Sequence, residues 1–319
     1  MTVLKQDAAL DRIVAPAARV EVLVEGLASA EGPVWIAEEK CLLFSEVGLK
    51  PVGGDFKPVH HGRRYKWDPA SRRSSVVHEP TNMTNGMTRD PQGRLLMCEY
   101  ASRRVTRLEP DGSITVVASE YRGLRLSGPN DIVAKSDGSI YFTDTGGVQA
   151  GLDIDYSAVF RVSADLRSIN LVARDFQLVN GLAFSPDESI LYINDSQGVY
   201  AHPDTFKSQG TIRAYDVRPS GMLANSRLFC ELRGSESGMP DGMKTDVEGN
   251  VYCTGPGGVW IMNAAGKHLG TILTDVRHNV NNTTNMAWGG EDWKTLFITT
   301  SSSLLSIRLQ IAGVPVLCC

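Results

Sequence analysis

Six short stretches of this 319-residue chain carry an acidic or amide side chain at a turn, just ahead of an apolar run. They hold Glu31 in "EGPVW", Asn85 in "TNGMT", Asn130 in "PNDIV", Asn180 in "VNGLA", Asp241 in "PDGMK" and Asn285 in "TNMAW". An isolated Asn-Gly or Asp-Gly is ordinary turn chemistry. Six in register suggest oxygen ligands converging on one point. Two carboxylates and four amides, with no His or Cys, suit a hard cation better than a soft one. A site gathered from separate segments is roomy, which favours Ca2+; Mg2+, Mn2+ or Zn2+ are the alternatives. A carboxylate beside such an ion can also accept a proton from water, and Asp241 is the candidate base.

The elements that must position these residues are legible as a repeat. The six reference residues are separated by 54, 45, 50, 61 and 44 residues, a period of about 50 that fits a four-stranded propeller blade. Each copy runs turn, apolar stretch, a second turn such as Asp-Gly or Glu-Gly-Asn, then a strand such as "SIYFTD", "SILYIND" or "TLFITT". Tyr, Phe, Ile and Thr suit a pleated surface buried between neighbouring sheets. The expected fold is all-β: a six-bladed β-propeller with four antiparallel strands per blade. The stretch "RVEVLVEG" has no blade of its own, so the ring closes by pairing the N- and C-terminal strands, which leaves no open edge. The expected organisation is an N-terminal arm over residues 1–18, one propeller over 19–311 and a tail over 312–319.

In a propeller the innermost strands line a central channel, so residues at their entries face one small volume. This places Glu31, Asn85, Asn130, Asn180, Asp241 and Asn285 as candidate oxygen ligands at the channel. Asn85 and Asn130, with Tyr100, Asp195 and His61, are the candidate substrate contacts. The insertions over residues 50–62, 146–160 and 196–210 exceed what a hairpin needs and read as loops roofing the channel.

Composition excludes several classes. A net charge of −4 without clustered Lys or Arg gives no footprint for nucleic acid. No run of about 18 uncharged apolar residues is present for a membrane-spanning helix, and Asp7, Asp11, Arg12 and Arg19 interrupt any secretory core. The expected location is the cytoplasm. The six cysteines show no Cys-x-x-Cys pair, so buried reduced thiols are expected for Cys41, Cys98 and Cys253. No strand-to-helix Gly-x-Ser-x-Gly elbow offers a serine nucleophile.

Together "EGPVW", "PNDIV", "NGLAFSPD" and "PDGMKTDVEGNVY" resemble the family that includes senescence marker protein (regucalcin), the gluconolactonases and luciferin-regenerating enzyme. Diisopropyl fluorophosphatase is a more distant relative, and the resemblance runs from about Val20 to Leu309, closest to the bacterial lactonase branch. It implies a propeller with a divalent ion, usually calcium, in the channel. Glu31, Asn180 and Asp241 match the family's metal ligands, and Asn130 matches a position that binds metal in some members and substrate in others. Animal members carry Arg where this chain has Gly128, so sugar-acid contacts through that Arg do not transfer. The implied reaction is opening of a lactone, a small-molecule substrate, by ion-activated water. Phosphotriester or phosphofluoridate hydrolysis at the same ion and a non-catalytic calcium-binding propeller are the alternatives.

Overall fold

Strands rich in β-branched and aromatic residues, separated by Asx-type turns, form six sheets of antiparallel strands arranged radially about a channel. The computed structural model describes residues 3–52, 55–145, 153–196, 209–274 and 283–316. From the channel outward, blade 1 comprises Ala30–Ile36, Cys41–Glu46, Arg63–Asp68 and Arg73–His78. Blade 2 comprises Thr84–Arg89, Leu95–Glu99, Arg104–Leu108 and Ile114–Ala118. Blade 3 comprises Pro129–Ala134, Ile140–Asp144, Ala158–Val162 and Ile169–Ala173. Blade 4 comprises Val179–Phe184, Ile190–Asp195, Gln209–Val217 and Leu223–Arg233.

Blade 5 comprises Met243–Thr245, Val251–Gly255, Gly258–Met262 and His268–Leu273. In blade 6, Thr283–Gly289, Thr295–Thr300 and Ser303–Arg308 are completed on the outside by Glu21–Glu25. Val22 pairs with Leu305 and Val24 with Leu304. The ring is thus closed by its first and last strands, as the unpaired "RVEVLVEG" required.

The ends do more than the expected arm and tail. Val3–Lys5 adds a fifth strand to blade 5, pairing with Ile272, Thr271 and Gly270. Asp7 caps a 3-10 turn, Ala8–Arg12, by accepting the Ala9 N–H at 2.8 Å. That turn drives Leu10, Ile13 and Val14 into the apolar layer between blades 5 and 6. At the other end Gly313 bridges to Asp246 and lies so close to Trp288 that a Cβ there would stand 1.7 Å from the indole.

The core is therefore six apolar layers, one between each pair of neighbouring blades. Trp35 stacks on Phe297 at 5.7 Å between blades 1 and 6, and Tyr141 meets Phe184 edge-on at 5.2 Å between blades 3 and 4. Burial of each such side chain contributes roughly 1.5–3 kcal/mol. Cys41, Cys98, Cys230 and Cys253 are buried free thiols within these layers. Leu49–Val52 and Asp55–Pro58 pair as two extra antiparallel strands, largely within the first of the three insertions.

Candidate functional site

Strand register decides which residues share a level in the channel. Met87, Ile132, Leu182, Met243 and Met286 pair with Met97, Phe142, Ile193, Cys253 and Ile298, at matching positions on the second strands. Two residues earlier stand Asn85, Asn130, Asn180, Asp241 and Thr284, and the pairing of Val34 with Leu43 puts Glu31 at the same level. Blade 6 therefore has Thr284 at this level, but the Thr284 hydroxyl donates to the Ala30 carbonyl at 2.6 Å, and it is the Asn285 amide that reaches Glu31 Oε2, at 3.1 Å. Asn285 sits one step deeper, level with Gly32, Gly86, Asp131, Gly181 and Gly242. The sequence "TTN" offers no signal for this offset, because the register is set by cross-strand pairing of Met286 with Ile298.

The glycines of the deeper row are there for close approach. A Cβ on Gly181 would meet the Asp241 carbonyl at 2.0 Å, and one on Gly242 would meet Asn285 Oδ1 at 2.1 Å. Likewise Gly32 abuts the Asn85 carbonyl and Gly86 abuts that of Asn130. Inner strands of adjacent blades thus touch without side chains between them, and this draws the reference residues together.

A second set of residues, absent from the sequence reading, fixes the backbone of the ring. Ser45 Oγ donates to the Asn85 carbonyl at 2.7 Å, and Thr254 Oγ1 accepts the Asp241 N–H at 2.7 Å. Asn194 donates from Nδ2 to the Asp241 carbonyl at 2.5 Å and accepts the Gly181 N–H at 3.1 Å. Thr143 and Thr299 accept the N–H groups of Asp131 and Asn285. The signal was available: each is the small polar residue just before the last position of a second strand, in "FSE", "FTD", "IND", "CTG" and "ITT". The strand-end carboxylates beside them have a different task. Asp195 accepts the N–H groups of Gln177 and Leu178 at 3.0 and 2.9 Å, and Asp144 does the same for Ser127 and Gly128. Asp195, read as a substrate contact, is a buried latch on the loop entering its own blade.

The electrostatics of the ring are those of crowded, dry carboxylates. Glu31 is 4% exposed and Asp241 6%. Burial, then the charge of Asp131, pushes Glu31 up to about 7 against the N–H of Gly32, the amide of Asn285 and the charge of Lys244. Asp241 is raised well above the ordinary range by burial, then by Glu31 and Asp131, with Asn180 opposing. Asn285 Nδ2 donates to Glu31 Oε2 at 3.1 Å, and Asn130 Nδ2 donates to Asn180 Oδ1 at 2.7 Å. Glu31, Asn130, Asn180 and Asp241 therefore form one connected cluster spanning blades 1, 3, 4 and 5.

The residues present fit a hard cation. Among the described residues no three His, Cys, Asp or Glu side chains form a metal-holding group, so the amides of Asn130 and Asn180 are needed beside the two carboxylates. Two buried oxygens in the same channel, Asn85 Oδ1 and Asp131 Oδ2, have no hydrogen-bond partner among the described residues. Unpaired buried oxygens beside mutually repelling carboxylates constitute a site that a cation stabilises.

The remaining expected contacts divide. The Tyr100 ring fills the space over Gly128, where a Cβ would stand 2.6 Å from Cε2; it occupies the volume into which a side chain at 128 would begin to grow. His61 is exposed, and its carbonyl accepts the Met83 N–H. Its neighbour His60 is turned inward, with Nε2 2.9 Å from the buried carboxylate of Glu46. Of the insertions expected to roof the channel, residues 146–152 and 197–208 lie outside the described residues.

The SMP-30/Gluconolactonase/LRE-like region model matches residues 29–302. The chain belongs to this family. It is 28% identical to a gluconolactonase of Zymomonas mobilis, over 95% of this chain and 85% of that protein. It is 26% identical to the pentonolactonase XacC of Haloferax volcanii, over 85% and 81%. A solved gluconolactonase from Xanthomonas campestris superposes with a TM-score of 0.78 at 28% identity, covering 97% of this chain and 95% of that one. The family's shared region includes all six inner strands, and with them the whole oxygen ring.

Proposed function

We propose that this member of the SMP-30/gluconolactonase/LRE-like family hydrolyses lactones at the channel ring, with a divalent cation held by Glu31, Asn130, Asn180 and Asp241. The observation that carries the reading is the buried, mutually repelling Glu31–Asp241 pair, with Asn180 bonded to Asp241 and Asn130 to Asn180, in a channel with two unpartnered oxygens. The names of the relatives supply the substrate class. A cation bound there supplies an electrophilic contact for the carbonyl oxygen and a seat for water.

The chain's own residues supply the rest. Asp241, a carboxylate at the ring, takes the proton as water adds to the carbonyl carbon. The ring C–O bond then breaks, and the proton passes to the departing alkoxide, giving a hydroxy acid. Asn85, on the same level, presents its unpartnered Oδ1 to a substrate hydroxyl. Tyr100 walls one side of the mouth where Gly128 leaves room.

Acid release from a panel of aldonolactones and simpler lactones, with and without a chelator, is the direct test. Glu31→Gln and Asp241→Asn are expected to lower turnover by about a hundredfold or more. Full turnover by thoroughly chelated protein removes the cation. Full turnover by Asp241→Asn with metal still bound removes the base.

A further inference from the structure

Five of the six third strands place an aliphatic side chain opposite the penultimate residue of the second strand: Val105, Val159, Ile212, Val259 and Leu304, all fully buried. Blade 1 places Arg64 there, opposite Ser45, and it is 9% exposed. Residues paired across a sheet share a face, and Ser45 turns toward blade 2, where its hydroxyl reaches the Asn85 carbonyl. Arg64 takes the same side. Its Nη1 donates to Met97 Sδ, on the second strand of blade 2, at 3.1 Å. The guanidinium therefore leans inward from a third strand to a second one, in the seam between blades 1 and 2 whose channel end is Asn85, with its unpartnered Oδ1.

A thioether is a weak acceptor for one of five guanidinium N–H groups, and among the described residues no carboxylate pairs with Arg64. Burial lowers its pKa with no anion opposing. The neighbouring arginines differ: Arg63 is paired with Glu79 at 2.7 Å, and Arg89, buried as deeply, with Glu38 at 2.9 Å. Exchanging a buried charge for a well-packed apolar side chain is generally neutral or stabilising, and five blades already use one. Packing alone does not call for arginine. What a guanidinium fork fits is a carboxylate brought in from outside, held through paired N–H groups. The row runs Glu31, Ser45, Arg64 outward from the channel, so the guanidinium stands behind the oxygen ring. A lactone carbonyl held at the ring leaves its new carboxylate there, and an anion at Arg64 has to be a different one.

We propose that Arg64 is a specificity-determining residue that takes a carboxylate carried by the lactone itself, remote from the ester, so that the favoured substrates are acidic lactones and the products dicarboxylic hydroxy acids. This rests on the lactonase reading, and binding tests it separately from turnover. Calorimetric titration of the full-length protein with glucarate and with gluconate, in one buffer, compares a dicarboxylate with a monocarboxylate of the same length. The preference for glucarate should fall by about tenfold or more from wild type to Arg64→Leu or Arg64→Met. Both variants should melt no lower than wild type. Arg64→Lys, which keeps the charge and loses the fork, should retain part of the preference. In turnover, kcat/KM for a glucarolactone relative to gluconolactone should fall by about tenfold or more in Arg64→Leu.

A preference within about twofold of wild type in both apolar variants would overturn the inference and leave the lactonase reading standing. Apolar variants that melt well below wild type with the preference intact would make Arg64 a structural residue, with the same consequence. So would a wild type that hydrolyses gluconolactone and binds neither acid. An Arg64-dependent preference for glucarate in a chain inert toward every lactone supports the carboxylate subsite and rejects only the reaction.

Discussion

Gly181 shows how much of this site depends on an atom that is not there. Adding a Cβ 2.0 Å from the Asp241 carbonyl must displace either the blade 4 strand or Asp241, and Asn194 holds both. Gly181→Ala is therefore expected to destabilise the fold by about 1–3 kcal/mol and to weaken calcium binding more than that loss alone explains. Calorimetry beside a denaturant melt separates the two; unchanged affinity would show that the inner strands yield freely. At this scale the sequence was partly legible. Glu31, Asn180 and Asp241 stand out because turn chemistry repeats around them. Asp131 does not, because a lone Asp after Asn reads as solvated charge until its burial in the row below the ring is seen. The offset of Asn285 was hidden for a related reason: Thr284 and Asn285 are both polar, and only pairing shows that Asn285 reaches Glu31 from one position further along its strand.

Among the elements, the second strands do most of the positioning, through their penultimate Ser, Thr or Asn and their terminal carboxylate. The repeat in turns and strands revealed the blades, since Asp-Gly turns and aromatic strands recur on one period. It did not reveal Val3–Lys5 as a fifth strand of blade 5, because three residues carry too little alternation to distinguish a strand from a loop. The closing pair was legible by elimination, as a strand without a blade and a blade without its fourth strand. Leu304, pairing with Val24 at that closure and fully buried between blades 1 and 6, should be a costly position. Leu304→Ala is expected to lose about 2–5 kcal/mol in urea unfolding; a loss below about 1 kcal/mol would mean the last blade adds little to the ring.

For the whole molecule, burying the ring carboxylates makes stability depend on pH and on the ion together. Glu31 holds its proton up to about 7 in the fold against an ordinary 4.5, and Asp241 is shifted the same way. The folded chain therefore binds protons more tightly than the unfolded one. That contribution is fully present below about pH 4.5 and is lost as pH rises through about 7, a change on the order of 3 kcal/mol for Glu31. Metal-free protein should melt at a higher temperature near pH 5 than near pH 8, with the difference reduced in Glu31→Gln and removed by calcium at the higher pH. A wild type and Glu31→Gln with superimposable pH profiles would place Glu31 in a wetter setting than its burial indicates.

The circular closure also has an order in time. During synthesis Glu21–Glu25 leaves the ribosome long before Ser303–Arg308, the strand it must meet. Until then five blades wait as an arc, and Thr284, whose hydroxyl reaches the Ala30 carbonyl, has nothing to clasp. Blade 1 and blade 6 meet only once every blade between them has been made, so the cation ring, which needs its neighbours' inner strands held in place, is among the last features of the propeller to come into being.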